Sequence, residues 1–385
     1  MLSFDFTEDQ DDFRAAMRTF ARERLLPGYS QRAMREEYPW KEHKLLGEMG
    51  VLGIGLPEEY GGSGEADYIA LGIACEELGS GDVTLSAAPT QVGLIADLIA
   101  RHGSDTAKQK FLPRMISGDL MVALALTEEG AGSDASALRT TARRVEGGWR
   151  LSGEKTSITL VQYAEAAIVF ARTPGTSGAD GVSAFIVDFD QPSVAIGEFH
   201  DMGLIPIGRG TISMEDAFVP DEHLLGKEGK GFGLVMGNFD FSRATIGLQC
   251  LGAARASLEE ASAYLKERIT FGKPLAARQG LSFQVAEHYT YLEAARLLCY
   301  HTLWLRQMGR RHTAQAAMVK WWAPRVAQHA IESSLLIHGH SAWSDEMPIQ
   351  ARLRDVMAFL IADGTAEVQK LIIGREYIGP EVMDR

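Results

Sequence analysis

Mainly α-helical with a single inserted block of β is the fold class this sequence predicts. Three observations carry that reading: a helical apolar period near the N-terminus, short β-rich runs between about 121 and 229, and a helical period that returns and lasts to the end. The N-terminal unit, residues 1–120, opens with Thr7 followed by Phe13, Ala16, Met17 and Phe20. This is a capping box leading into an i, i+3, i+4, i+7 stripe, hence an amphipathic helix. Further helices are expected over Ile69 to Leu78 and Val92 to Arg101, separated by PEEYGGSGEAD and, after Leu78, by the turn-like GSGD. In the middle unit, 121–229, runs such as WRLSGEKTSITL, AAIVFA and VSAFIVDF alternate with turn clusters such as PGTSGAD, which predicts a small antiparallel β unit. The C-terminal unit, 230–385, reads as long helices, among them ATIGLQCLGAARASLEEASAYLKE and LSFQVAEHYTYLEAARLLCYHTLW.

Composition narrows the function. The chain has 385 residues, 46% hydrophobic and 23% charged, the mixture of a globular protein with a large core. A formal net charge of −13 argues against a nucleic-acid face, which needs clustered Lys and Arg. The opening MLSFDFTEDQ carries acids where a signal peptide carries bases, and no run of about 18 apolar residues occurs, so a cytoplasmic protein without a membrane segment is expected. Cys75, Cys250 and Cys299 lie far apart without a CxxC spacing, and His338-Gly-His340 has no carboxylates at ligand spacing. Neither disulfides nor a metal site are expected.

Dinucleotide fingerprints are absent. Gly62-Ser-Gly64 and Gly231-Phe-Gly233 each lack the third glycine, and GKEGKG (226–231) lacks the P-loop spacing. What remains is a set of polar and glycine patches: LALTEEGAGSDASALRTTA (124–142), LSGEKTSIT (151–159), KERITFGKPLAARQGLSFQVAE (266–287) and ADGTAEVQKLIIGREYIG (362–379). Their order and spacing over nearly the whole chain resemble the signature stretches of the acyl-CoA dehydrogenase family. That resemblance implies an α, β, α organisation ending in a four-helix bundle, FAD as cofactor, an acyl-CoA thioester as substrate and an electron acceptor such as an electron-transfer flavoprotein. It also implies a homotetramer.

The residues make chemical sense beside it. In TEEGAGSD, Gly130 and Gly132 allow close backbone approach of a flat ligand, and Thr127 and Ser133 offer hydroxyls; a plain glycine turn is the bland alternative. By resemblance, Thr127 hydrogen-bonds the flavin ring, Ser133 touches flavin or substrate, and Ser157 and Thr159 sit beside the flavin. Arg268 has the guanidinium fork that suits a pyrophosphate, with Phe271-Gly272 expected to end the helix beneath it; a solvated helix-end Arg is the alternative. The family uses this Arg and Gln279, with Phe271 alongside, on the FAD of a neighbouring subunit, so an oligomer follows. Asp240 and Arg243, in FDFSRATIG, fall where the family places residues beside the thioester, although a helix-joining ion pair reads equally well. Ser242 occupies a position where some branches carry a catalytic Glu, and a hydroxyl cannot replace that carboxylate base.

Asp363-Gly364-Thr365 reads as a tight turn feeding a last helix capped by Thr365. Removing a proton α to a thioester needs a desolvated carboxylate, and Asp363 stands where most relatives carry Glu in Tyr-Glu-Gly-Thr. The resemblance thus makes Asp363 the base, with Gly364 at the substrate and Thr365 at the cofactor. Ser157 replaces the usual Trp and Ala362 the usual Tyr, so a gap and a bulkier acyl group are expected, α-branched or alicyclic as in cyclohexane-1-carboxyl-CoA. Nitroalkane oxidases of the same fold, with an Asp base, and a non-catalytic flavin-binding relative are the rival readings.

Overall fold

The computed structural model describes residues 5–383. The N-terminal helices are α1 (Glu8–Phe20), α2 (Tyr29–Arg32), α3 (Trp40–Glu48), α4 (Tyr68–Gly81), α5 (Val83–Ser86), α6 (Ala88–His102) and α7 (Asp105–Ile116). Thr7 caps α1 as expected: its hydroxyl accepts from the Gln10 amide and Gln10 Oε1 accepts from the Thr7 amide, both at 3.2 Å. The GSGD segment does not interrupt α4, which runs on to Gly81 before Asp82 caps α5. The glycines serve contact rather than turning. A Cβ at Gly79 would lie 2.3 Å from the Gln249 carbonyl oxygen, so the helix needs bare backbone there. The stretch Val83–His102 is long and apolar enough to cross a bilayer, yet most of it is buried inside the protein.

Eight strands follow: β1 (Val122–Ala125), β2 (Thr141–Val145), β3 (Gly148–Ile158), β4 (Ala166–Arg172), β5 (Val182–Asp188), β6 (Val194–Glu198), β7 (Gly210–Pro220) and β8 (Leu224–Leu225). They form one sheet in the order β6-β7-β3-β2-β4-β5-β8, with β1 paired to β4. Most pairs are antiparallel, but β1 runs parallel to β4 in the register Val122↔Ala166 to Ala125↔Val169. That pairing carries the chain from α7 straight into the sheet centre. One apolar cluster, including Trp149, Leu151, Phe185 and Met214, belongs to this sheet alone, and a larger one spans the helices and the other sheet face.

The C-terminal helices are α8 (Gly231–Glu267), α9 (Gln279–Gln307), α10 (Thr313–His338), α11 (Ile349–Ala358) and α12 (Ala366–Tyr377), with a small hairpin, β9 (Ile269–Thr270) and β10 (Lys273–Pro274), after α8. α8 crosses α4 backbone to backbone. A Cβ at Gly252 would stand 2.0 Å from the Glu76 carbonyl oxygen. This closeness delivers two buried carboxylates to a ring of guanidiniums: Glu77 accepts from Arg14 and Arg18 at 2.9 Å and from Arg255 at 2.7 Å, while Glu76 accepts from Arg296 at 2.8 Å and Tyr300 at 2.7 Å. Burial by itself would raise the Glu77 carboxyl, but the bonds from Arg18, Arg255 and Arg14 override it and hold the group down to about 2.

Because its folded value lies below the ordinary 4.5 of an unfolded glutamate, Glu77 stabilises the protein above that pH, and the contribution disappears as pH falls toward about 2. We expect Glu77→Gln to lose about 3 kcal/mol at pH 7, as for one partner removed from a buried ion pair. In urea titrations the variant should also lack the wild-type loss of stability between pH 4.5 and 2.

Candidate active site

Asp363 sits in the link between α11 and α12, half-buried, with φ +52°. An Asp tolerates that left-handed conformation better than a longer residue, because its short polar side chain can bond locally. Gly364 continues the turn at φ +90°, and Thr365 caps α12, its hydroxyl accepting from the Val368 amide at 3.5 Å. Two side chains brace this turn from elsewhere. The Gln369 Nε2 donates to the carbonyl oxygens of Asp363 at 3.0 Å and Gly364 at 3.3 Å, and Lys320 Nζ donates to that of Phe359 at 2.7 Å and reaches Gly364 O at 3.5 Å.

From α8, the buried Ser242 hydroxyl lies 3.2 Å from Asp363 Oδ2 and 3.1 Å from the Phe239 carbonyl oxygen. The next residue, Arg243, pairs with Asp240 at 2.8 Å, and Thr313 donates to the other Asp240 oxygen at 2.7 Å. Burial lowers the Arg243 guanidinium's value, against the charges of Asp240 and Asp363, and its Nε is buried without a partner among the described residues. Asp240, Ser242, Arg243, Asp363 and Gly364 therefore share one place. Their spacing in the sequence concealed this, since Ser242 and Asp363 are 121 residues apart.

A second cluster forms where β1 leaves the sheet. The Thr156 amide donates to Thr127 O at 2.9 Å, so the 127 loop runs beside the end of β3, near Thr159. Glu128 anchors the loop, accepting from the Arg139 amide at 2.6 Å, the Thr140 amide at 2.9 Å and Lys155 Nζ at 2.8 Å. Burial pushes Lys155 down to about 8, against the pull of Glu128. Thr127 and Thr159 are half-buried and Ser133 is exposed. At Ser157, where a gap was expected, the backbone adopts φ +59°, and Arg209, paired with Asp201, donates to the hydroxyl at 3.0 Å.

The third group stands apart. α8 ends at Glu267, before the Phe271-Gly272 pair expected to end it; those two residues make the β9–β10 turn instead, with φ +50° and +76°. Arg268, Phe271 and Gln279 are all exposed, Phe271 by 96%, and among the described residues Arg268 has no ion pair. Glu128, Lys155 and Gln369 lie inside the quoted patches without having announced a role; Lys320 lies outside them, and only its burial in the fold reveals it. No group of three or more His, Cys, Asp or Glu is placed to hold a metal among the described residues.

Helical, β and helical domains thus surround a carboxylate presented on a left-handed turn. The chain matches the N-terminal, middle and C-terminal domains of acyl-CoA dehydrogenase over residues 7–119, 123–217 and 229–378. It is 37% identical to an acyl-CoA dehydrogenase of Bacillus subtilis over 97% of this chain and 99% of that one. It is also 34% identical to the CarC subunit of a caffeyl-CoA reductase-Etf complex of Acetobacterium woodii, over 96% of this chain and 98% of that one. Its structure resembles butyryl-CoA dehydrogenase from Megasphaera elsdenii (TM-score 0.93, 34% identity, 97% and 99% of the two chains). A structure of PigA with FAD and proline is similarly close (TM-score 0.93, 27% identity, 97% and 99%). The chain belongs to the acyl-CoA dehydrogenase family, oxidoreductases whose characteristic cofactor is FAD. The residues fit that group: a Cβ at Gly130 or Gly132 meets nothing within 4 Å in this chain, which leaves the 127 loop's backbone open to a flat ligand.

Since Lys155 is buried against Glu128, Glu128→Gln should strand a cation and loosen the loop. The expected loss is about 3 kcal/mol in urea denaturation of the flavin-free protein.

Proposed function

We propose that the protein oxidises an acyl-CoA thioester between its α and β carbons, with Asp363 taking the α-proton. The observation that carries this is the half-buried Asp363 carboxylate on its left-handed turn, met by the Ser242 hydroxyl and neighboured by the Asp240–Arg243 pair. Bound FAD supplies the hydride acceptor. Thr127, Ser133, Ser157 and Thr159 hold the flavin at the loop and strand corner, Thr365 and its cap lie on the cofactor side, and Asp240, Arg243, Gly364 and Ser133 line the thioester.

Arg268, Phe271 and Gln279 serve the FAD of a second copy. Along α8, Arg243 and Arg268 are about 37 Å apart, so one rigid helix keeps the exposed hairpin away from its own base. The exposed Ile269, Phe271 and Phe283 around that hairpin support a partner copy there, and a tetramer is the assembly proposed. The CarC relative, named within an Etf complex, supports an electron-transfer flavoprotein as acceptor.

For the acyl group, the short-chain and butyryl-CoA names among the relatives support a small thioester. An α-branched or alicyclic group rests on the short Asp363 and on Ala362, not on Ser157, whose surroundings Arg209 shares. Anaerobic stopped-flow reduction of the flavin by butyryl-CoA, isobutyryl-CoA and cyclohexane-1-carboxyl-CoA tests this: faster reduction by the cyclic thioester is expected, and faster reduction by butyryl-CoA would remove the alicyclic reading. Reduction by nitroethane alone, with peroxide released in air, would replace the whole proposal by a nitroalkane oxidase. A flavin that no thioester and no nitroalkane reduces would favour the non-catalytic reading.

Asp363→Asn keeps the shape of the base and removes its basicity, so flavin reduction should fall by about 10² to 10⁴ with FAD still bound. Arg268→Ala should leave the far-UV circular dichroism unchanged while the protein loses FAD on gel filtration, because an exposed guanidinium contributes contacts to the cofactor and none to the core.

A further inference from the structure

Lys320 is 1% exposed on α10, and its ammonium reaches two carbonyls, Phe359 O at 2.7 Å and Gly364 O at 3.5 Å. Those atoms lie at the two ends of the short link that carries Asp363. A buried ammonium with only carbonyl partners is costly unless a carboxylate faces it. Among the described residues no carboxylate pairs with Lys320 directly; the charge of Asp363 favours its ammonium form and that of Arg243 opposes it. The other charged groups around the turn are already occupied or solvated. Arg243 on α8 is paired with Asp240 at 2.8 Å but also senses Asp363, Glu367 on α12 is exposed, and Lys370 lies over the Trp321 ring at 4.8 Å. Cys250, on α8 near Lys320, is a thiol that burial pushes up to about 12.

Ser242 has one hydroxyl proton and two acceptors, Phe239 O at 3.1 Å and Asp363 Oδ2 at 3.2 Å. With Asp363 ionised, the proton turns to the carboxylate. Once Asp363 has taken a proton, its own O–H can donate to Ser242 Oγ while the serine proton returns to Phe239 O.

We propose that Lys320 and Ser242 are positioning residues for Asp363. Lys320 pins the strained turn and, with Arg243, adds positive charge near the base, and Ser242 gives its carboxyl group a partner in both protonation states. This rests on Asp363 being the base. Burial lowers the Lys320 ammonium below the ordinary lysine value and the Asp363 charge opposes that, so the two charges sense each other.

The test is the pH profile of thioester-driven flavin reduction, measured anaerobically for Lys320→Met, Ser242→Ala and Asp363→Asn with FAD content checked. A neighbouring cation and a donated hydrogen bond both favour a charged carboxylate, so removing either should move the acid limb of the profile to higher pH, by about one unit for Lys320→Met and less for Ser242→Ala. Reduction at high pH should recover toward the wild-type rate. Should Lys320→Met fail to fold, Ser242→Ala decides alone: an acid limb at the wild-type pH overturns the proposal, as does a rate lowered equally at every pH in either variant. Wild-type rates in Asp363→Asn would overturn the base assignment itself. A slow Asp363→Asn together with unmoved acid limbs in the other two variants overturns only the positioning roles.

Discussion

The close crossing of α4 and α8 is the constraint on which the rest of the molecule depends. Gly79 and Gly252 remove the side chains that would hold the helices apart, since a Cβ at either would fall within 2.3 Å of the opposing backbone. Closeness alone would bury Glu76 and Glu77 at large cost. Five partners from three other helices offset it: Arg14 and Arg18 on α1, Arg255 on α8, Arg296 and Tyr300 on α9. A network of this kind is worth little as net stability compared with a well-packed apolar core, yet breaking any member leaves a buried charge uncompensated. It therefore fixes one arrangement of these helices.

That fixed arrangement is what α8 needs to serve as a ruler. Its N-terminal third carries Asp240, Ser242 and Arg243 to the turn of Asp363, its middle carries Gly252 and Arg255 to α4, and its C-cap is Arg268 at the start of the exposed hairpin. The middle domain is tied into the same frame by Asp355, whose oxygens accept from the Tyr29 hydroxyl and the Leu204 amide, both at 2.6 Å. Its carboxyl is pushed up to about 6 by burial. One buried side chain of α11 thereby joins all three domains, eight residues before the turn of Asp363.

At the site, strain and electrostatics act on the same few residues. An aspartate with positive φ, a glycine at φ +90° after it and a threonine cap make the turn locally, and each of these was legible in Asp-Gly-Thr. The loop of Thr127 was legible as a patch, though not the Glu128–Lys155 pair that holds it, because a Glu and a Lys 27 positions apart carry no signal of proximity. Ser157 gained a partner the sequence did not announce. Its hydroxyl accepts from Arg209, which stands just before β7, 52 positions along the chain.

By itself the sequence determined whatever lies within a few residues of chain: the capping box at Thr7, the helical and β periods, the order of helical, β and helical zones, and the turn that carries Asp363. These depend on local dihedral preference and on hydrogen bonds between near neighbours. Tertiary structure alone decided that GSGD continues a helix, that Phe271-Gly272 turns a hairpin, and that Ser242 and Lys320 meet the turn of Asp363 across 121 and 44 positions. Those outcomes depend on which helix faces come together, and the pairing of a buried charge is settled only when every element that could supply its partner is in place.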